Sequence, residues 1–282
     1  VWNEILSLLQ SKNSSLTMIH LDSLVWQIAS MDDIQLERYF KSLGISQVGE
    51  NLSNFLREKT ITTQSKKEEN MSESQKKTLI LIPCSGCKRK GGTVTYDPKS
   101  AIFDHLTSLS REHLLRLRRK LFRHFSMKMG QDVGYPDEDE IEYMQAYSRY
   151  TGQIYRQISP LSWDKLKRTP HLDLVIVSAL YGLVRYDEPI RYYNKMMKDR
   201  VEGQLLKTWW RNNNLGEILR EYINKNNISE VHVVLSNDYK EALSNCFRDT
   251  DEVRYVSHDF SKYKSGSNAY RGSWVNEFIR NF

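Results

Sequence analysis

The sequence predicts an α/β protein, a sheet flanked by helices, with a small helical domain at the N-terminal end. Three observations carry this. Short apolar runs stand at residues 78–83 (TLILIP), 172–177 and 231–235 (VHVVL), and runs so short and β-branched read as strands buried on both faces. Stretches with apolar residues at helical spacing lie between them. Each run is followed at once by small and polar residues, and in open α/β sheets ligands bind at the carboxyl ends of the strands.

Residues 1–59 carry helical stripes, Trp2, Ile5, Leu6 and Leu9, then Leu21, Leu24, Val25 and Ile28, then Ile34, Leu36, Tyr39, Phe40 and Leu43. Short helices of this kind form a small bundle. Residues 60–77 (TITTQSKKEENMSESQKK) are polar and charged, a linker by composition. The α/β domain then runs over 78–282.

In the 282 residues hydrophobic content is 39% and charged content 27%, enough for a packed core beneath a wet surface. Net charge is +6, which favours a polyanionic partner, nucleic acid first. The three cysteines argue against a secreted disulfide scaffold and for a reducing compartment. No apolar run is long enough to cross a membrane, and no signal-peptide pattern opens the chain; the expectation is a cytoplasmic protein.

After the first strand comes CSGCKRKGG, residues 84–92. A Ser/Gly/Lys loop at a strand end makes an anion-binding turn, in which backbone N–H groups and Lys88 meet a phosphate or carboxylate. The spacing is not that of a Walker A loop. Two residues separate Cys84 from Cys87, but no second such pair and no histidine pair of ligand spacing accompany them, so no metal and no cofactor are expected. Residues 100–129 read as a long helix with a leucine stripe, and Arg111, Arg118, Arg119 and Arg123 gather elsewhere on it. Such a face tracks DNA phosphates or is simply solvated.

The densest stretch is 174–193, LVIVSALYGLVRYDEPIRYY. The strand ends in the small residues Ser178 and Ala179, which let a ligand approach, and then in Tyr181 and Gly182, where glycine permits a positive φ. Arg185, Asp187, Glu188 and Tyr193 follow. After 231–235 come Ser236, Asn237, Asp238 and Tyr239; a helix cap explains one of these four residues.

Six segments, in order, resemble the YaaA-like family of bacterial proteins: PCSGCK, with Ser85 and Lys88 in matching places; YTGQIYR, with Gln153 where the family has an acid; SALYGLVRYDEPIRYY; LLKTWW; VLSNDYKEAL, with Asp238 for Glu; and NAYRGSWVNEFI. The resemblance implies a mixed sheet flanked by helices and an association with DNA binding and oxidative stress. A PDExI-like signature and the appended helical region are similar to a Brig-type group of anti-phage DNA glycosylases. That likeness implies excision of glucosylated hydroxymethylcytosine, leaving an abasic site, with the double-stranded DNA's modified base flipped out.

N-glycosidic cleavage builds positive charge on the sugar while the base leaves as an anion. A carboxylate must face the sugar, donors must meet the base, and rings and cations must hold a flipped nucleotide and its phosphates. Asp187, Glu188 and Asp238 are the candidate carboxylates. Asn237 acts with them, Asn237 and Ser85 reach the base edge, and Ser236 and Gly182 line the pocket. Tyr155, Tyr181 and Tyr193 stack; Lys88, Arg185 and Arg271 hold phosphates. A lysine can also attack the sugar, although phosphate contact explains Lys88 as well. The alternatives are a non-enzymatic DNA-binding stress protein of the YaaA kind and a nucleobase- or tRNA-modifying transferase.

Overall fold

Strand β1 (Lys77–Pro83) is the centre of the fold, and Leu79 to Ile82 along it are 0% exposed. In this computed structural model the described residues are 77–92, 95–137, 141–244, 246–247, 250 and 252–282. The chain divides into two units, residues 1–74 and 75–282, and every described residue belongs to the second. The helical domain expected over 1–59, and the linker except Lys77, lie outside the described residues.

After β1 come the loop 84–92, two short 3-10 turns and α1 (Ser108–His124). Then β2 (Tyr143–Gln145), α2 (Ala146–Arg149), α3 (Gln153–Gln157) and α4 (Pro160–Arg168) lead to β3 (Leu172–Ser178). The chain continues through β4 (Gly182–Arg185), β5 (Pro189–Arg191), β6 (Arg200–Val201), β7 (Gln204–Leu205), α5 (Leu206–Asn212) and α6 (Leu215–Lys225). It ends with β8 (Ile228–Val233), α7 (Asn237–Ala242), β9 (Arg254–Ser257) and α8 (Ser267–Asn281).

The main sheet has five strands in the order β4-β3-β1-β8-β9. β1 runs parallel to both β3 and β8, and β9 is parallel to β8. β4 folds back antiparallel to β3, with Gly182 opposite Ser178 and Arg185 opposite Val175. The sheet is therefore mixed and flanked by helices, as the sequence predicts. Gly182 makes the reversal possible: its φ is +73°, and a Cβ there would stand 2.9 Å from Leu215 and Trp210.

The order of strands places the site. From β1 the chain crosses to β3 on one side, while from β8 it crosses to β9 on the other. Adjacent strands whose connections part in this way open a crevice at their carboxyl ends. Here that crevice lies between the loop after Pro83 and the loop after Val233.

The helices pack where their apolar faces dictate. In α1, Leu114, Leu117, Leu121 and Phe122 are buried, and Thr107 caps the helix by accepting from Ser110 N at 3.3 Å. α8 lies on α3 and α4. A Cβ on Gly272 would come within 2.2 Å of the Ile154 carbonyl, so only glycine lets these helices meet so closely. Asn276 Oδ1 completes the contact, accepting from Ser159 N at 2.9 Å and from Ser162 Oγ at 2.7 Å.

Candidate active site at the carboxyl edge of the sheet

The loop after β1 is held from several directions. Cys84 N donates to Val177 O at 2.9 Å, so β1 and β3 stay paired one residue past the end of β1. Lys88 bridges to Tyr150, with Arg89 N donating to Arg149 O at 2.8 Å and Thr151 N to Cys87 O at 3.0 Å. The buried Arg149 guanidinium donates from Nη1 to the carbonyls of Arg89 and Gly91, both at 2.6 Å, and from Nη2 to those of Glu142 and Ile190, both at 3.1 Å. Four backbone acceptors on one side chain fix the loop against its neighbours. Ser85 Oγ accepts from Cys87 N at 3.1 Å and touches Gly152, where a Cβ would lie 2.1 Å from that oxygen.

Inside this frame sits a group of tyrosines. The Tyr150 and Tyr193 hydroxyls are 2.8 Å apart, and Tyr193 OH is 2.8 Å from Ser178 Oγ. Tyr155 OH donates to Pro83 O at 3.0 Å. Burial drives the pKa of Tyr150, Tyr155 and Tyr193 upward, so their hydroxyls stay protonated. The Lys88 amine lies 4.1 Å from the centre of the Tyr193 ring and 5.8 Å from that of Tyr150. It is shielded from solvent and has no hydrogen-bond partner among the described residues. Desolvation lowers its pKa; the charges of Cys84, Cys87 and Asp199 oppose that shift.

Across the crevice, Ser236 is the N-cap residue of α7 and Asn237 opens it. Asp238 accepts from Lys207 Nζ at 2.7 Å, and the same amine reaches Glu241 at 2.9 Å. The Lys207 pKa is raised, chiefly by the hydrogen bond to Asp238. Tyr239 OH lies 3.3 Å from Cys84 Sγ and so joins the two loops. Beyond the carboxyl end of β9, Arg271 on α8 lies 5.3 Å over the Phe260 ring and donates to Ser267 Oγ at 3.0 Å and Asn268 Oδ1 at 3.1 Å. Ser85, Lys88, Tyr155, Tyr193, Ser236, Asn237, Asp238 and Arg271 thus share the carboxyl edge.

Asp187, Glu188, Arg185 and the arginines of α1 do not join them. Asp187 pairs with Arg185 at 3.2 Å, and Arg185 also reaches Asp173 at 3.2 Å. Because β4 is antiparallel, this places them near the amino end of β3, about 16 Å from Ser178 at a strand rise of ~3.3 Å per residue. Glu188 is 0% exposed and fully used: Oε1 takes Arg118 Nη1 at 2.8 Å, and Oε2 takes Ile102 N at 3.0 Å and Arg185 N at 3.2 Å. Arg118, read as a DNA contact, is also 0% exposed, and its Nε and Nη2 donate to Tyr181 O at 2.9 Å and Leu183 O at 2.6 Å. A side chain so enclosed reaches no phosphate. Arg119 is tied to Val133 O at 2.9 Å and to Glu112 at 3.1 Å, whereas Arg111 and Arg123 are exposed.

Tyr181 is an interior ring that adjoins the tyrosine group: its N donates to Ser178 Oγ at 3.1 Å and its ring centre lies 5.6 Å from that of Tyr193. Its hydroxyl donates to Asp132 Oδ2 at 2.6 Å, and Arg191 Nε donates to the same oxygen at 2.9 Å. Gly182 serves the β3–β4 reversal. Tyr150 and Lys207 join the site without a signal in the sequence, whereas Ser178 stands at the strand end where a ligand is expected to approach. Tyr150 is one of four tyrosines close together, with Tyr143, Tyr147 and Tyr155, and nothing singles it out; Lys207 stands in a helix with no signal pointing to Asp238.

Among the described residues no group of three or more His, Cys, Asp or Glu side chains is placed to hold a metal ion, and no helix is long and apolar enough to cross a membrane. Residues 87–281 match the family described as peroxide stress protein YaaA. That is more than half of the chain, and the chain belongs to this family. No curated protein matches it.

Proposed function

We propose that the protein is a DNA glycosylase of the YaaA family, acting on a modified base, glucosylated hydroxymethylcytosine, as an anti-phage enzyme. The observation that carries the reading is Lys88 beside the hydroxyls of Tyr150, Tyr193 and Ser178, at a strand end that Tyr239 OH, 3.3 Å from Cys84 Sγ, ties to the loop bearing Asn237 and Asp238. Such a set offers what the reaction demands: a carboxylate for the cationic sugar, neutral donors for the departing base, and rings beside which a flipped nucleotide can lie. Asp238 takes the sugar-facing role, because Asp187 lies at the far end of the strands and Glu188 is consumed by Arg118. Lys207 Nζ holds Asp238 in place, at 2.7 Å from Oδ1. The choice of base follows from the resemblance in sequence, and the reaction class from the groups themselves.

The test is release of free base. DNA from a phage carrying glucosylated hydroxymethylcytosine and plain DNA are incubated with the full chain, and the supernatant is analysed by mass spectrometry. Free glucosylated base from the first substrate alone supports the reading. Binding of both DNAs with no base released means that the protein is instead a non-enzymatic DNA-binding protein of its family. Asp238→Asn lowers the release rate by ~100-fold or more, within the range for loss of a general acid–base group, and leaves DNA affinity within twofold.

A further inference from the structure

We propose that Lys88 is a covalent nucleophile: its amine attacks C1′ of a 2′-deoxyribose, forms an imine with the opened sugar, and cuts the strand by β-elimination. This rests on the glycosylase reading and deepens it, from a hydrolytic enzyme to one that also nicks its product.

The placement of the amine is what points there. A lysine that holds a phosphate keeps its ammonium hydrated or ion-paired. The Lys88 amine has no hydrogen-bond partner among the described residues and is closed off from solvent, with the Tyr193 ring face 4.1 Å away. A ring face favours the cation, but by less than desolvation disfavours it, and the net shift is downward. A desolvated amine with no ion-pair partner is the usual setting of an imine-forming lysine. The residue as a whole is only half-buried, so rotation about its four-carbon stem can bring the amine off the ring and to a bound sugar.

The step balances without a redox partner. The neutral amine displaces the base from C1′, and the proton released from nitrogen goes to the departing base. The C1′–O4′ bond then opens, O4′ takes a proton from solvent, and nitrogen and C1′ form a protonated imine. Loss of a C2′ proton to water or a carboxylate expels the 3′ phosphate oxygen, leaving a 5′-phosphate on the downstream strand. Water hydrolyses the imine to an unsaturated aldehyde and restores the amine.

The experiment bypasses base recognition. A duplex oligonucleotide with one preformed abasic site is mixed with the full chain and sodium borohydride, and the trapped adduct is digested and mapped by mass spectrometry. Base release from phage DNA is measured in parallel. The expected result is a reduced adduct on Lys88 and, without borohydride, a nick bearing a 5′-phosphate. Lys88→Arg keeps the charge but forms no imine, so it lowers nicking by ~100-fold or more; a phosphate contact would survive that change with less than tenfold loss. An adduct absent, or mapping to other lysines, overturns the inference. If base release persists in that case, the glycosylase reading stands as a hydrolytic one; if it does not, both fall. An adduct on Lys88 without base release keeps the nucleophile and removes the glycosylase.

Discussion

At the scale of single residues, charge decides more than size. Glu188→Gln leaves the Arg118 guanidinium buried without its counter-charge, and breaking such a pair costs about 3–5 kcal/mol; the denaturant midpoint falls accordingly. Asp187→Asn removes one of two carboxylates on Arg185, which keeps Asp173 at 3.2 Å, so both stability and base release stay close to those of the parent. The contrast, read by urea titration and base release on the same two variants, separates a structural acid from a bystander. His258 offers a pH test. Its Nε2 is 3.0 Å from His232 Nδ1, and His232 Nε2 is 2.7 Å from Glu230. The Glu230 carboxylate accepts a hydrogen bond from His232 Nε2–H, which leaves Nδ1 to accept from His258. Burial, helped by His232 and Lys240, lowers the His258 pKa to about 4. The unfolded chain therefore binds a proton between the ordinary value near 6.5 and about 4 that the folded chain refuses, and stability falls as pH drops through that window. His258→Phe flattens the dependence between pH 7 and pH 4.5. For Lys88 the lowered pKa means that nicking accelerates with pH and levels off below the ordinary lysine value.

At the scale of elements, close approaches and helix faces give the tests. Gly152→Ala and Gly272→Ala both force a Cβ into occupied space, but against different things. At Gly272 the obstacle is the Ile154 carbonyl of a neighbouring helix, at Gly152 the Ser85 hydroxyl. The first variant loses on the order of 1–3 kcal/mol by overpacking. The second moves Ser85 and slows base release while the melting temperature changes little. On α1 the exposed residues Arg111 and Arg123 are the remaining candidates for phosphate contact. Replacing both by Ala reduces the slope of log K against log salt by about 2. An unchanged slope would make that face a solvated one.

At the scale of the whole molecule, what the sequence made legible follows from burial. The strands over 78–83, 172–177 and 231–235 are plain because all but Thr78, Asp173 and His232 of their side chains are apolar, and the crevice follows from what succeeds two of those runs. The misplaced acids have one physical cause. A charged residue after a strand reads as surface, yet β4 turns back along β3, carries 185–188 to the far end, and buries Glu188 against Arg118. Nothing local in the sequence marks a reversed strand or a paired interior charge. The same holds for Lys88, whose amine reads as a solvated cation until Tyr193, more than a hundred residues on, is seen beneath it.

The central strand also comes first among the described elements, and its partners are synthesised late. Thr78 pairs with Leu172 on one side and Glu230 on the other. On the ribosome β1 therefore emerges with both hydrogen-bonding edges bare and holds four consecutive large apolar side chains in water until most of the chain has followed. Non-local pairing of this kind slows folding and exposes sticky intermediates. Nascent chains stalled before residue 228 should be captured by chaperones or aggregate, and only those extended past β8 should resist protease.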